Sequence, residues 1–200
     1  MNSKSKDEQT KAEEELVVTR GKGAREEGAV LGHLTEKNIG QLKLLNSILF
    51  PVHYDDKFYR DLLLSPEFTR LAFFNDVLVG AVSCRVESKK EEEGGGVQMY
   101  IMTLGVLAPY RRLGIGNQLL EFVIEQCKKR EVGSVYLHVQ ISNEDALAFY
   151  KRYDFEVIRT IENYYKRIDP PRDCYVLQRT IDLSSSSAPA TSNDSDAQNC

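Results

Sequence analysis

Long apolar runs are missing from this 200-residue chain, and that excludes one class of protein at once. No stretch approaches the roughly 18 apolar residues a membrane-spanning helix requires, so no membrane insertion is expected. The opening Met1-Asn2-Ser3-Lys4-Ser5-Lys6 has no apolar segment behind it, and no secretory leader is expected either. Paired cysteines are missing as well. Cys84, Cys127, Cys174 and Cys200 show neither metal-ligand spacing nor a staple-like pattern, and the first two sit in apolar segments. They read as small core residues in a reducing compartment, with no metal. A basic excess is also lacking: the net charge is −4, which argues against bulk nucleic-acid binding. The flanking segments carry most of that charge, so positive charge in the middle of the chain must work locally.

What is present suits a globular protein, with 42% apolar and 28% charged residues. Residues 1–28 mix Lys, Glu, Gly and Ser with few apolar positions and read as a disordered charged arm. Residues 184–200 read as a solvated Ser/Ala/Asn-rich tail. Between them, residues 29–183 form one domain without internal repeats. A first strand is predicted over 29–34, then a helix capped by Thr35 whose face carries Ile39, Leu42, Leu45, Ile48 and Leu49. Pro51 ends it, and a second helix runs from Asp55 to about Leu64. A hairpin turns at Asn75-Asp76 between strands 71–74 and 77–87, and a charged, glycine-tipped loop at 89–96 leads to a strand over 97–107. A helix over 117–130, a strand over 134–139, a helix over 143–153 and strands over 155–164 and 174–183 complete an α/β domain with a mixed sheet.

Tyr110-Arg111-Arg112-Leu113-Gly114-Ile115-Gly116 lies between an apolar strand and a helix carrying Leu119, Leu120, Val123, Ile124 and Cys127 on one stripe. Glycines at a helix start let backbone N–H groups converge on an anion, the helix dipole adds about half a positive charge, and the arginines add more. This segment is a pyrophosphate cradle. A P-loop would need Gly-Lys-Ser/Thr, but Asn117-Gln118 follows Gly116; a dinucleotide fingerprint needs a third glycine where Leu119 stands. A glycine turn that merely permits close packing is the alternative.

Further pieces follow in order around it. They are Phe50-Pro51-Val52-x-Tyr54, Tyr100-Ile101-Met102-Thr103-Leu104-Gly105, Tyr136-Leu137-His138-Val139-Gln140, Ser142-Asn143-Glu144-x-Ala146 with Phe149-Tyr150, and Asn163-Tyr164-Tyr165-Lys166. With the Arg-Arg-x-Gly-x-Gly loop, they resemble the N-terminal acetyltransferases of the GNAT superfamily, in particular those of the N-terminal acetyltransferase E type, over about residues 30–183. The resemblance implies a GNAT fold: a mixed, mostly antiparallel seven-stranded sheet with a splay between two central parallel strands, flanked by about four helices. The arm and the 89–96 loop lie outside the shared pattern.

The resemblance implies acetyl-CoA as co-substrate. It assigns Leu104, Gly105 and Val106 to the thioester and pantetheine, and Arg111, Arg112, Leu113, Gly114, Ile115, Gly116 and Asn117 to the pyrophosphate. Asn143 and Tyr150 match positions facing the pantetheine and sulfur, with Tyr150 as donor to the departing thiolate; simple packing is the alternative for that tyrosine. Strand alternation puts Tyr136, His138 and Gln140 on one face, and Tyr100, Met102 and Leu104 on one face of the neighbouring strand. His138, flanked by Leu137 and Val139, reads in isolation as a core histidine. The resemblance makes it, with Tyr100, the pair that shares a water accepting the substrate amine's proton.

Phe50, Pro51, Val52 and Tyr54 on one loop, and Tyr164, Tyr165 and Ile168 on another, suggest an apolar pocket rimmed by tyrosines, with Met102 beside it. Such a pocket suits a first methionine followed by an apolar residue, although Phe50 and Val52 could simply cap the first helix. Expected partners are peptide N-termini, subunits of the NatA complex and the ribosome, in the cytoplasm and the nucleus. The competing readings are acetylation of lysine side chains or small amines on the same fold, and a largely non-catalytic docking subunit.

Overall fold

The computed structural model describes residues 28–89, 95–165 and 172–184. The expected arm, most of the 89–96 loop, most of the tail and Ile168 lie outside them. In chain order the elements are β1 (Val30–His33), α1 (Ile39–Leu49), α2 (Asp56–Leu64), β2 (Thr69–Phe74), β3 (Val77–Ser88), β4 (Val97–Val106), α3 (Ile115–Lys129), β5 (Ser134–Gln140), α4 (Glu144–Lys151), β6 (Glu156–Tyr165) and β7 (Arg172–Thr180). The seven strands form one sheet in the order β1-β2-β3-β4-β5-β7-β6. Only β4 and β5 run parallel among the paired strands; every other pair is antiparallel. This is the expected fold, with β7 inserted between β5 and β6.

Local chemistry explains the element ends and four departures from the sequence reading. Thr35 caps no helix: its N–H donates to Asn38 Oδ1 at 2.8 Å, Asn38 Nδ2 donates to the His33 carbonyl, and α1 starts at Ile39. Ile48 points outward, and Asn46 takes the inward position beside Leu42 and Leu45. An apolar residue at helical spacing is thus displaced by a polar one, a swap periodicity cannot foresee. α3 starts at Ile115 rather than Asn117, because Gly114 adopts the left-handed conformation (φ 79°) as its N-cap. At the β2–β3 hairpin Asn75 and Asp76 both take positive φ, as a two-residue turn of this hand requires.

The fourth departure bears on the site. The β3–β4 register passes from Ser83↔Thr103 to Cys84↔Ile101, so Met102 is an extra residue, a β-bulge. Met99 and Ile101 before it, and Leu104 and Val106 after it, pack into the larger core under α3 and α4. Met102 instead joins the smaller core under α1 and α2, and a Cβ on Gly105 would point at Leu49 and Phe50. Leu104 therefore does not share a face with Tyr100 and Met102: the bulge flips the alternation.

β4 and β5 share only the pairs Met99↔Val135 and Tyr100↔Tyr136. Beyond Tyr100 the strands diverge, β4 staying with β3 and β5 with β7. The backbone of β4 past the bulge is thus left open toward β5, at the point where the cradle follows.

Candidate active site

Two side chains meet where the splay begins. His138 Nδ1 lies 3.2 Å from the Tyr100 hydroxyl, with the rings nearly perpendicular. The two groups that the sequence reading joined through a shared water lie within hydrogen-bond reach of each other. Tyr164 stacks flat on the imidazole at 4.6 Å and 9°, and Tyr136 stacks on Tyr100 at 4.8 Å. The Tyr136 hydroxyl donates to Glu87, which is ion-paired to Arg85 at 2.5 Å.

Burial sets the protonation states. It lowers the pKa of His138, Arg159 lowers it further, and Glu87 pulls it back. The imidazole is therefore neutral near pH 7 and able to accept a proton. The phenol of Tyr100 is held well above its ordinary value by burial first and then by Tyr164, so it stays protonated. Of the two, the neutral His138 imidazole is the better proton acceptor near neutral pH. For Nε2 to offer a lone pair, Nδ1–H must donate to the Tyr100 oxygen, a tautomer assigned by this argument.

The cradle lies at the far end of β4. A short turn at Ala108–Tyr110 leads into Arg111, and Arg112 and Gly114 both adopt positive φ, at 65° and 79°. Alternating left-handed residues turn successive N–H groups to one side, an anion-binding nest. The helical bonds begin with Gln118 N–H to Gly114 O at 3.1 Å, so the N–H groups of Ile115, Gly116 and Asn117 belong to the unpaired first turn. Residues 111–114 are exposed, whereas the Ile115 side chain is in the core at 1% exposure; only its backbone can face a ligand. Arg111 Nε donates to the Val106 carbonyl at 3.1 Å, so this arginine ties the cradle to β4 in addition to any contact with an anion. The residues fit a pyrophosphate. Among the described residues, no group of three or more His, Cys, Asp or Glu is placed to hold a metal ion.

Asn143 takes a structural role that the sequence did not assign, and Tyr150 packs as its alternative reading allowed. Asn143 caps α4 by accepting from Ala146 N–H at 3.2 Å. The Tyr150 ring is buried between Phe149 and Phe155, and burial raises its pKa, leaving a protonated phenol. Both alternatives, packing and donation, use the same ring.

On the α1 side, Phe50 and Tyr54 meet edge to face at 6.2 Å, and Tyr54 stacks on Phe58 at 4.5 Å. The Tyr54 hydroxyl is pushed up to about 12, mostly by burial and then by Tyr59 and Tyr164. Tyr164 of β6 is thus within electrostatic reach of the 50–54 loop, and Met102 packs in the same cluster as Tyr54. Val52 and Tyr54 also line a cavity of about 340 Å³ with Lys43, Ser47, His53, Asp55, Asp56 and Tyr59. This cavity excludes Phe50 and Tyr164, so it is a neighbour of the expected pocket rather than the pocket itself. Tyr165 ends β6, and Ile168 lies outside the described residues.

The sequence reading missed Arg85, Glu87 and Arg159. A usable signal existed for the first two: charges alternate at the end of the otherwise apolar β3 run, Val77 to Ser88. Nothing in the sequence marked Arg159.

Comparison with known proteins adds to this geometry. The model of the acetyltransferase (GNAT) family matches residues 39–155. N-alpha-acetyltransferase 50 of Danio rerio is 53% identical over 152 residues, 76% of this chain and 88% of its own. The probable N-acetyltransferase san of Drosophila melanogaster is 49% identical over 76% of this chain and 80% of its own. Among solved structures, Arabidopsis thaliana Naa50 in complex with the bisubstrate analogue CoA-Ac-MVNAL matches with a TM-score of 0.69 and 51% identity, over 76% of this chain and 98% of that one.

Proposed function

The chain belongs to the acetyltransferase (GNAT) family and is an N-terminal α-amine acetyltransferase that uses acetyl-CoA, and from that premise we propose that it prefers chains with a retained methionine followed by an apolar residue. The observation that carries the chemistry is the 3.2 Å contact of His138 Nδ1 with Tyr100 at the mouth of the splay. The preference is supported by the aromatic surroundings of Phe50, Tyr54, Met102 and Tyr164. It is also supported by the Arabidopsis relative, whose bound analogue carries Met and then Val at its peptide end.

The residues divide the work. Backbone N–H groups of the Arg112–Asn117 cradle hold the pyrophosphate, and the open edge of β4 at Leu104, Gly105 and Val106 holds the pantetheine arm. An N–H of that edge aimed at the thioester oxygen stabilises the charge that develops there by roughly 2.7–4 kcal/mol. A substrate α-amino group has a pKa of about 7.7–8.0, so a useful fraction is neutral at physiological pH. As its nitrogen bonds to the acetyl carbon, the C–S bond breaks. His138 Nε2 takes the amine's proton, with Tyr100 steadying the imidazolium, and the protonated Tyr150 phenol donates toward the leaving thiolate.

Acting on new N-termini, the enzyme works with the ribosome and with subunits of the NatA complex, in the cytoplasm and the nucleus. Cys84, Cys127 and Cys174, all buried as free thiols, accord with a reducing compartment. Co-sedimentation with ribosomes and NatA subunits tests the partner reading.

The substrate reading is tested with defined peptides and acetyl-CoA, followed by mass spectrometry. Burying a methionine side chain contributes roughly 1.5–3 kcal/mol, so a charged first residue should lower kcat/KM by about one to two orders of magnitude. A Met-Leu peptide pre-acetylated at its N-terminus but carrying an internal lysine should be almost inert. Faster acetylation of that lysine would make the enzyme a lysine acetyltransferase instead.

A further inference from the structure

Charged side chains stand on two sides of His138, and the chemistry above makes no use of them. On one side is Glu87, near the end of β3. Its carboxylate is fixed twice, by the hydrogen bond from the Tyr136 hydroxyl and by the Arg85 ion pair, and it is only 24% exposed. Tyr136 in turn meets His138 at 5.9 Å with the rings steeply inclined, and stacks on Tyr100 at 4.8 Å. On the other side is Arg159. Register places it on β6 opposite Val176 of β7, which lies opposite His138 on β5, so the three form one row across the sheet. Among the described residues, the titratable groups on this part of the sheet are Arg85 and Glu87 from β3, Tyr100 from β4, Tyr136 from β5, and Arg159 and Tyr164 from β6, while β7 contributes Val176 with the buried Cys174 thiol beside it.

We propose that Glu87, held by Tyr136, and Arg159 are opposed positioning residues for the His138 imidazole, a carboxylate and a guanidinium flanking it across the sheet. The inference rests on His138 as the base. A half-buried imidazole is penalised for carrying charge, and turnover requires it to become charged briefly. A carboxylate across one aromatic ring stabilises that imidazolium without touching the substrate. A guanidinium on the opposite side adds to burial in disfavouring the charged imidazole. The directions of shift found for His138 agree: burial and Arg159 lower its pKa, and Glu87 raises it. Tyr136 acts as the spacer, fixing the carboxylate against the face of the sheet that carries the pair.

The test is an NMR titration of the imidazoles in the full-length free enzyme. The chain has three histidines, and the signal that disappears in His138→Ala identifies the one of interest. Glu87→Gln should move the His138 midpoint down by roughly half a pH unit and Arg159→Gln should move it up by a similar amount, both shifts shrinking at high salt. Glu87→Asp should restore the midpoint. Tyr136→Phe, which frees the carboxylate, should shift it part of the way down. The low-pH limb of kcat at saturating peptide should follow the same order. A midpoint unmoved by Glu87→Gln overturns the proposal even if activity falls, because a purely structural role would lower activity without moving it. Movement of both variants in one direction overturns it too. Since the titration uses free enzyme, it is independent of the reading of the base, which fails separately if His138→Ala retains full kcat.

Discussion

The cradle and the amine-handling face, the two halves of the candidate active site, are built in opposite ways. The cradle is ten consecutive residues, Ala108 to Asn117, exposed where it matters and made of backbone: two left-handed residues and the start of a helix. The amine face is half-buried and made of side chains from four strands. Tyr100 and His138 meet across 38 positions of sequence, and Tyr136 and Glu87 across 49. A backbone site tolerates changes of side-chain size but not of charge or φ. A side-chain site behaves in the reverse manner, and each half can be broken in a way the other would survive.

The largest effect is expected at the cradle. A Cβ on Gly116 would meet only the Phe149 ring, at 3.5 Å, an ordinary contact, so Gly116→Ala should bind acetyl-CoA nearly as wild type. Gly116→Asp adds a negative charge among N–H groups meant for an anion. Like charges a few Å apart repel by about 4 kcal/mol at an effective dielectric near 20, close to a thousandfold in affinity. Calorimetry with acetyl-CoA, beside circular dichroism to confirm the fold, reads both variants. Equal affinities in the two would remove the pyrophosphate from this helix end.

The amine face should lose rate instead of affinity. General base catalysis is worth roughly 10²–10⁴-fold, so His138→Ala should lower kcat by about a hundredfold or more with acetyl-CoA affinity intact. Tyr100→Phe should cost less, because a protonated phenol positions the imidazole and does not take the proton. The double variant should fall short of the product of the two losses, since the residues touch. Multiplicative losses would show that they act apart. The wild-type pH dependence sharpens this further. The pKa of His138 is depressed below its ordinary 6.5, so kcat/KM should rise through pH 7–8 with the peptide amine, whose pKa is about 7.7–8.0. For stability the sign is the depressed-base one: the neutral imidazole's contribution is complete above the unfolded value and is lost as pH falls through the folded one.

The same contrast governs what the sequence disclosed. The cradle is local, so Arg111-Arg112-x-Gly114-x-Gly116 marked the turn and the helix behind it, with an error of only two residues in the helix start. The strands and their pairing across the splay followed from apolar periodicity and the resemblance. The bulge at Met102 did not, because an extra residue leaves no mark in an apolar strand and yet reverses every side chain beyond it. That is why Leu104 was placed on the wrong face. Glu87 and Arg159 were invisible as site residues because their relation to His138 exists only once β3, β5, β7 and β6 lie side by side. Asn143 and Arg111 had legible backbone neighbourhoods but not legible partners: a cap and a carbonyl claimed their side chains.

The smallest effect tests the seam between the halves. Gly105 lies on the β4 edge assigned to the thioester, yet its missing side chain makes room for the other half: a Cβ there would come within 2.8 Å of Leu49 Cδ1 and 3.2 Å of Phe50 Cζ. Its φ is not in the left-handed region, so Gly105→Ala meets no backbone penalty and the contact itself is what is tested. Both atoms are side-chain ends able to yield, Leu49 by rotating and Phe50 by a few tenths of an ångström. The overpacking should cost about 1 kcal/mol, near the low end for an added methyl, and the loop at Phe50 to Tyr54 should absorb it. Gly105→Ala is therefore expected to raise KM for Met-initiated peptides roughly threefold to tenfold by that figure while leaving acetyl-CoA affinity near wild type. Phe50→Ala removes one of the two obstructions and part of the pocket together, so in the double variant the Gly105 effect should shrink while the Leu49 contact remains. If Gly105→Ala instead weakens acetyl-CoA and spares the peptide, the glycine serves the approach of the pantetheine to β4, and the two halves of the site are independent.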